Sequence, residues 1–408
     1  MADTPTLRRS LSLSLLTLYG LGTTIGAGVY VLIGAVAGSA GGAAPFAFLF
    51  AAALVGFSAL AFAELSARMP RSAGEAIYVF AGFGSERLAQ ITGLCVILAG
   101  LVSAATISHG FVGYLQSLWP VPYLLALAAV VVVLGAIAAW GIRESVGLAA
   151  VITVIEIAGL IYVLWVGRGH LADFPARWQE FIPAAELPAL LGILSGGVIA
   201  FYAFIGFEDM VNVAEEVRDV RRTLPKAIVL TLVATTVLYL AVAVVGVLAV
   251  PLPELAGSKA PVALIVERGG GRHADLLSLV ALIAVLNGAL IQVIMASRVA
   301  YGLAQRGWLP TALGRIHARR RTPVLATAAA TVLVLLFALT MPLETLARAT
   351  SLITLGIFAT VNMALWRIKG REPEPPADGV CYPRWISLIG AVACLAVIVS
   401  EVSRLTLP

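Results

Sequence analysis

An apolar span running from about Leu11 to Gly38 is interrupted in its middle by Gly22-Thr23-Thr24-Ile25-Gly26-Ala27-Gly28, and another apolar span is interrupted by Ala203-Phe204-Ile205-Gly206-Phe207-Glu208-Asp209. Glycine weakens a helix, and backbone released from its helix at membrane depth is tolerated only where it is packed in protein or lines a polar cavity. Two such breaks predict one shared binding site near the bilayer midplane, where freed amide hydrogens and carbonyl oxygens face each other.

The rest of the chain fits that reading. Of 408 residues, 60% are hydrophobic and 12% charged, against roughly a quarter charged in a soluble domain. Segments of about 20 apolar residues, the length that crosses the hydrocarbon, recur along almost the whole chain. The expected fold is an all-α polytopic membrane protein forming one domain over 1–408. Eleven spans can be drawn: 11–38, 43–67, 88–118, 121–140, 146–167, 190–214, 226–250, 274–304, 323–341, 343–366 and 384–405. The first is too long and too glycine-broken for a cleaved leader and is expected to be retained.

Cytoplasmic loops keep the excess of Lys and Arg. With the N-terminus inside, 20 of the 27 basic residues fall on the inner face, and an odd number of spans puts the C-terminus outside. The expected location is a plasma membrane of prokaryotic type. The net charge of +5 is then a topology signal and a contact with anionic lipid, not a nucleic-acid footprint. The isolated Cys95, Cys381 and Cys394, read as buried small apolar side chains, and the scattered histidines offer neither metal-ligand spacing nor a disulfide framework. No cofactor is expected.

Five helices separate the two breaks, the interval expected if spans 1 to 5 (about 11–167) and 6 to 10 (about 190–366) are inverted repeats, with the span at about 384–405 outside them. The half-helix beginning near Gly28 then has its N-terminus at the membrane centre, where unpaired amides and the positive dipole end suit a carboxylate. Thr24, Ile25, Gly26, Ala27 and Gly28 form that end, and a packing patch of small residues is the competing reading. At the second break a half-helix ends near Tyr202 or Ala203, presenting carbonyl oxygens to a primary ammonium. Tyr202, Ala203, Phe204 and Ile205 are the candidate amine site and gate, with core packing the alternative for the two aromatic rings. Facing receptors of this kind describe the head group of an α-amino acid. Glu208 and Asp209 lie where negative charge caps a helix, yet acids this deep are costly, which makes Glu208 a candidate for a wet path and a proton.

Around these breaks the residues resemble the amino acid–polyamine–organocation permeases, in particular their cationic amino acid transporter-like branch. The most specific pieces are Gly22 to Tyr30 and Ala203 to Asp209, followed by Arg221-Arg222-Thr223-Leu224-Pro225-Lys226 and Tyr301-Gly302-Leu303-Ala304-Gln305-Arg306-Gly307-Trp308. The resemblance implies a LeuT-type fold of inverted five-helix repeats with discontinuous helices one and six, working by alternating access. It also implies that Ile25 to Gly28 take the substrate carboxylate while Tyr202 to Ile205 take and gate the amine. Branch members often carry a lysine in the fifth span in place of a sodium ion; here that position is Glu156, in Thr153-Val154-Ile155-Glu156-Ile157-Ala158-Gly159. A carboxyl cannot replace a cation, and an acid at membrane depth is a candidate proton carrier. A neutral hydrogen-bond donor and an ion pair with Arg298 are the competing readings. Ser103, Ala104, Ala105 and Thr106 of helix three, with Asn287 and Gln292 of helix eight, are candidates for the side-chain pocket, an interhelical hydrogen bond being the competing reading for each.

The expected function is therefore a secondary transporter moving amino acids across the membrane, with protons as the coupling partner and the lipid bilayer as its medium. An amino acid exchanger and a polyamine or organic-cation transporter of the same fold are the alternatives. From a different class, a non-transporting membrane protein or an enzyme is disfavoured because no nucleophile with a base appears at membrane depth.

Overall fold

The computed structural model describes residues 11–26, 28–70, 74–140, 146–271, 274–317, 322–374 and 379–406. A polypeptide in hydrocarbon must satisfy every amide within its own segment, and the apolar stretches do so as helices. In chain order these are α1 Leu13–Ile25, α2 Gly28–Ala40, α3 Ala44–Arg68, α4 Gly74–Phe83, α5 Glu86–Leu118, α6 Tyr123–Trp140, α7 Val146–Gly167 and the single turn α8 Phe174–Arg177. They are followed by α9 Leu187–Tyr202, α10 Val220–Ala249, the short α11 Leu252–Gly257 and α12 Pro261–Arg268, then α13 Ala274–Gln305, α14 Val324–Thr340, α15 Leu343–Arg371 and α16 Arg384–Thr406. Among the described residues nine helical runs are long and apolar enough to cross a membrane, and Leu13–Ile25, Gly74–Phe83 and Val324–Thr340 are shorter apolar helices. Helix occupies each of the eleven ranges drawn from hydropathy. The outer surface is apolar in the manner of a lipid-facing bundle: α6 alone exposes Leu124, Leu125, Val132, Val133 and Trp140.

Local chemistry sets several boundaries. Ser12 caps α1 by accepting from the Leu15 amide at 3.4 Å, and Ser85 caps α5 through the Leu88 amide at 3.3 Å. Pro45 and Pro188 open α3 and α9, where a missing N–H costs nothing. Small residues then allow close approach: α5 and α13 lie side by side with Gly100 against Met295 and Gln292. In the same way α14 packs on α6, with Thr331 filling the space at Gly135.

Three features depart from the sequence reading. Helix α4 lies outside every drawn span. α15 runs to Arg371 rather than 366, and Lys369 in its last turn is buried. Its ammonium, 5% exposed, donates to Glu64 Oε2 at 2.8 Å and to the Tyr382 carbonyl, while Arg68 holds Glu64 Oε1 from the same helix at 2.9 Å. Lastly, Cys394 is buried as expected but Cys95 is half-buried and Cys381 exposed; Cys381 sits on the segment leading to α16, with the Lys369 ammonium 3.4 Å away.

Candidate functional site

The first break is built by side chains that compete for helix carbonyls. Thr24 Oγ1 donates to the Gly20 carbonyl at 2.7 Å, and Thr23 Oγ1 lies 3.0 Å from the same oxygen. Such back-bonding weakens the ladder, and α1 stops at Ile25. Gly26, with φ −22° and ψ −72°, is off the helical path, and helix resumes at Gly28 as a new N-terminus. Ala27 lies outside the described residues. At the second break α9 ends at Tyr202, and the amides of Ala203, Phe204 and Ile205 turn back to carbonyls three residues earlier, at 3.0, 3.0 and 3.1 Å. Gly206 then adopts φ +125°, a conformation side chains rarely take. Its Glu208-capped amide (2.8 Å) leads into a 3₁₀ segment over Phe207–Glu216, where the sequence reading expected a second half-helix.

The two breaks meet. Thr23 Oγ1 also donates to the Gly206 carbonyl at 2.9 Å. Tyr239, from α10, places its hydroxyl 2.9 Å from the Thr24 carbonyl and 2.9 Å from the Ala203 carbonyl. Gly28 approaches so closely that an added Cβ would lie 2.7 Å from the Ala203 carbonyl oxygen and 2.8 Å from the Tyr239 hydroxyl. Between the breaks lies a cavity of about 20 Å³ whose walls include Thr24, Gly28, Ser103, Ile107, Tyr202, Ile205, Asp209, Gly288, Ile291 and Gln292. That is room for about one water molecule.

Of the residues singled out from the sequence, Thr24, Gly28, Ser103, Tyr202 and Ile205 face this cavity, with the Tyr202 hydroxyl 2.8 Å from Ser103 Oγ. Ile25 and Ala203 are buried behind it, and Gly26 lies against α13 near Ala284. Phe204, 1% exposed, stacks edge-on against Tyr239 at 5.1 Å between ring centres instead of facing the cavity. Thr106 bonds to the Val102 carbonyl at 2.9 Å beside the Tyr202 hydroxyl. Asn287 is off the cavity wall, to which α13 contributes Gly288, Ile291 and the other candidate, Gln292. The residue that sequence reasoning missed is Tyr239. Its one signal is a hydroxyl amid the apolar run Thr236-Val237-Leu238-Tyr239-Leu240.

Glu156 is 1% exposed, and neither carboxyl oxygen has a hydrogen-bond partner among the described residues. Its neighbours on the same face of α7 touch the first break: Thr153 abuts Gly22, and Gly159 abuts the Tyr30 hydroxyl, which donates to the Glu156 carbonyl at 2.6 Å. Arg298 is elsewhere, on a vestibule of about 360 Å³ whose walls include Tyr19, Glu75, Asp209, Glu216 and Arg306. Asp209 borders both the vestibule and the central cavity. Glu75 and Glu208 join it around a third space of about 30 Å³. Among the described residues no group of His, Cys, Asp and Glu side chains is arranged to hold a metal ion.

Comparison with known proteins extends these local features to the whole chain. The family model described as amino acid permease matches residues 12–402. The branched-chain amino acid permease BcaP of Bacillus subtilis (strain 168) is 28% identical over 397 residues, covering 92% of this chain and 84% of that protein. The methylthioribose transporter of the same organism is 28% identical over 411 residues, covering 95% and 87%. Cationic amino acid transporter 4 of Homo sapiens is 28% identical over 394 residues, covering 91% of this chain and 61% of its own length. A match that runs from α1 to α16 takes in both breaks and every helix between them, and the chain therefore belongs to the amino acid permease family, in the cationic amino acid transporter-like branch of the amino acid–polyamine–organocation permeases.

Proposed function

We propose that this permease is a proton-coupled symporter of amino acids in the plasma membrane, working by alternating access between two inverted repeats over about 11–167 and 190–366. The substrate carboxylate sits on the amide end of α2, at Thr24 to Gly28. The ammonium sits on the carbonyl end of α9, at Tyr202 to Ile205. The observation that carries this reading is the Tyr239 hydroxyl: a donor already bridges carbonyls of both breaks, the place and role that a substrate ammonium would take. Ile107, Ile205 and Ile291 on the cavity wall suit an apolar side chain. Asp209 on the same wall favours one second reading, a substrate with a cationic side chain.

The proton is carried by Glu156, an acid packed beside the first break whose carboxyl has no hydrogen-bond partner among the described residues. A group that must alternate between protonated and ionised forms is served by the absence of a fixed counter-ion. Glu156→Gln in proteoliposomes tests this. Amino acid binding remains measurable, and uptake no longer responds to an imposed pH gradient. Unchanged gradient dependence would move the coupling to Glu208, and uptake only against an internal amino acid would make the protein an exchanger. A thermal-shift panel of apolar amino acids, lysine, arginine and their decarboxylated amines decides the substrate class, since a ligand that binds only the folded state raises its melting point. Stabilisation by the amines alone would refute the carboxylate site.

A further inference from the structure

The stretch between α7 and α9 consists of short turns: Arg168–Asp173, α8 and Trp178–Glu180. It exposes Leu171, Phe174, Trp178 and Ile182 to between 41% and 52%, a profile that belongs in a membrane interface and not in water. Together with α3 and α10 it walls a groove of about 660 Å³. Every lining residue is apolar, Phe46, Leu49, Phe174, Trp178, Leu240 and Val244 among them. That volume is in the range of specific small-molecule sites, and the rim residues Phe46 and Leu49 are 44% and 48% exposed on the lipid side of the bundle.

The groove has a polar end. Leu240, Val244 and Leu248 follow one another at single-turn intervals along α10. At the last of them Arg177 donates from Nη1 to the Leu248 carbonyl at 2.7 Å. The same guanidinium pairs with Glu180 through Nε and Nη2, each at 2.8 Å. The two charged side chains are 35% and 46% exposed, just where α10 ends. The side-chain hydrogen bond from Arg177 holds the Glu180 carboxyl below the usual carboxylate range.

We infer that this groove is a phospholipid site: one acyl chain lies among Phe46, Leu49, Trp178 and Val244, and a zwitterionic headgroup with a primary amine lies on the Arg177–Glu180 pair. The phosphate faces the guanidinium and the ammonium faces the carboxylate. Charge complementarity chooses this occupant. A purely anionic headgroup meets Glu180 as a repulsion, and a quaternary ammonium has no N–H to donate to it. The apolar walls offer nothing to the backbone of a peptide.

The experiment places the full chain in nanodiscs of equal phosphatidylethanolamine, phosphatidylcholine and phosphatidylglycerol and reads retained lipids by native mass spectrometry. One tightly held lipid is expected, with phosphatidylethanolamine enriched severalfold over the other two. Leu49→Trp, which fills the groove from an exposed position, loses it; Glu180→Gln keeps a lipid but loses the preference over phosphatidylcholine. Equal retention of the three lipids, enrichment of phosphatidylglycerol, or undiminished retention by Leu49→Trp overturns the proposal. Should Leu49→Trp fail to fold, phosphatidylethanolamine with brominated chains is added to the wild type. Quenching at low mole fraction that disappears in Trp178→Phe supports the site, and quenching no stronger than that by brominated phosphatidylcholine refutes it.

Discussion

One hydroxyl proton on Tyr239 serves two carbonyls, Thr24 and Ala203, each at 2.9 Å, so neither bond is complete. An ammonium with three N–H groups would satisfy both, so that on the proposed reading substrate and Tyr239 compete for the same oxygens. Removing the hydroxyl leaves two buried carbonyls short of a partner, a loss of about 1–3 kcal/mol. Tyr239→Phe is expected to lower the melting point without ligand, enlarge the stabilisation by a saturating amino acid, and slow uptake. A smaller ligand shift than wild type would contradict the competition. Gly28 tests the contact from the other side. A Cβ there would sit 2.7 Å from the Ala203 carbonyl oxygen and 2.9 Å from its Cα, both backbone atoms, so nothing can rotate away. Gly28→Val is expected to reduce uptake at least about tenfold, equivalent to about 1.4 kcal/mol, at normal expression. Gly356→Ala, where an added Cβ meets nothing within 4 Å, should leave uptake unchanged and raise stability slightly. Equal effects of the two substitutions on uptake would deny the close approach.

At the scale of elements, Glu64 is a knot. Wholly buried near the end of α3, it accepts from Arg68, from Lys369 of α15 and from the Tyr382 amide at 3.0 Å, which joins α3, α15 and the approach to α16. A second pair, the half-buried Arg348 with the buried Glu401, joins α15 to α16, and Arg348 also reaches Ser195 of α9 at 2.7 Å. Breaking a buried pair strands the partner charge at a cost of roughly 3–5 kcal/mol. Glu64→Gln is accordingly expected to lower the melting point sharply in detergent while leaving the ligand-induced shift intact, because the knot is remote from the cavity; a normal melting point would show the pair to be dispensable. These ties also mark what the sequence could disclose. The breaks were legible because glycines inside an apolar span admit few readings, and Glu156 because an acid there is costly whatever surrounds it. The burial of Lys369 was not legible, because its partner lies 305 residues away. Tyr239 was invisible for the same reason, its acceptors belonging to two other helices. α4 has only ten residues, too few to register as a span. On α13 the sequence offers Asn287 and Gln292 alike, because the apolar face gives no phase to say which of them turns inward; Gln292 is the one on the cavity wall.

At the scale of the molecule, a vestibule leads to the breaks from one end, and buried hydrogen bonds tie the helices toward the other. The vestibule beside Arg298 and Arg306 reaches Asp209 on the cavity wall. Toward the opposite end, the Tyr114 hydroxyl holds the Tyr30 carbonyl at 2.5 Å, and His109 bridges the Tyr123 hydroxyl at 2.5 Å and the Ala338 carbonyl at 2.9 Å. A central space of about 20 Å³ admits no amino acid, so transport by the proposed route needs the breaks to part and the vestibule to change. A transporter with two such forms is shifted only by what binds them unequally. The orientation expected from the basic residues makes the vestibule cytoplasmic, and single cysteines test orientation and state together. Cys95, Cys381 and Cys394 are first replaced, since Cys381 is exposed. Val299→Cys on the vestibule wall should then react with a membrane-impermeant maleimide only in inside-out vesicles, and Ser258→Cys, beside the cavity of about 290 Å³ at the far end, only in right-side-out ones. Substrate with a pH gradient should slow labelling of Val299→Cys as the population moves toward the opposite-facing form, and Glu156→Gln should abolish the part of that slowing that depends on the gradient. Labelling of both positions from the same side would invert or disprove the topology. Labelling of Val299→Cys indifferent to substrate would mean that the vestibule does not close, and alternating access through it would have to be abandoned.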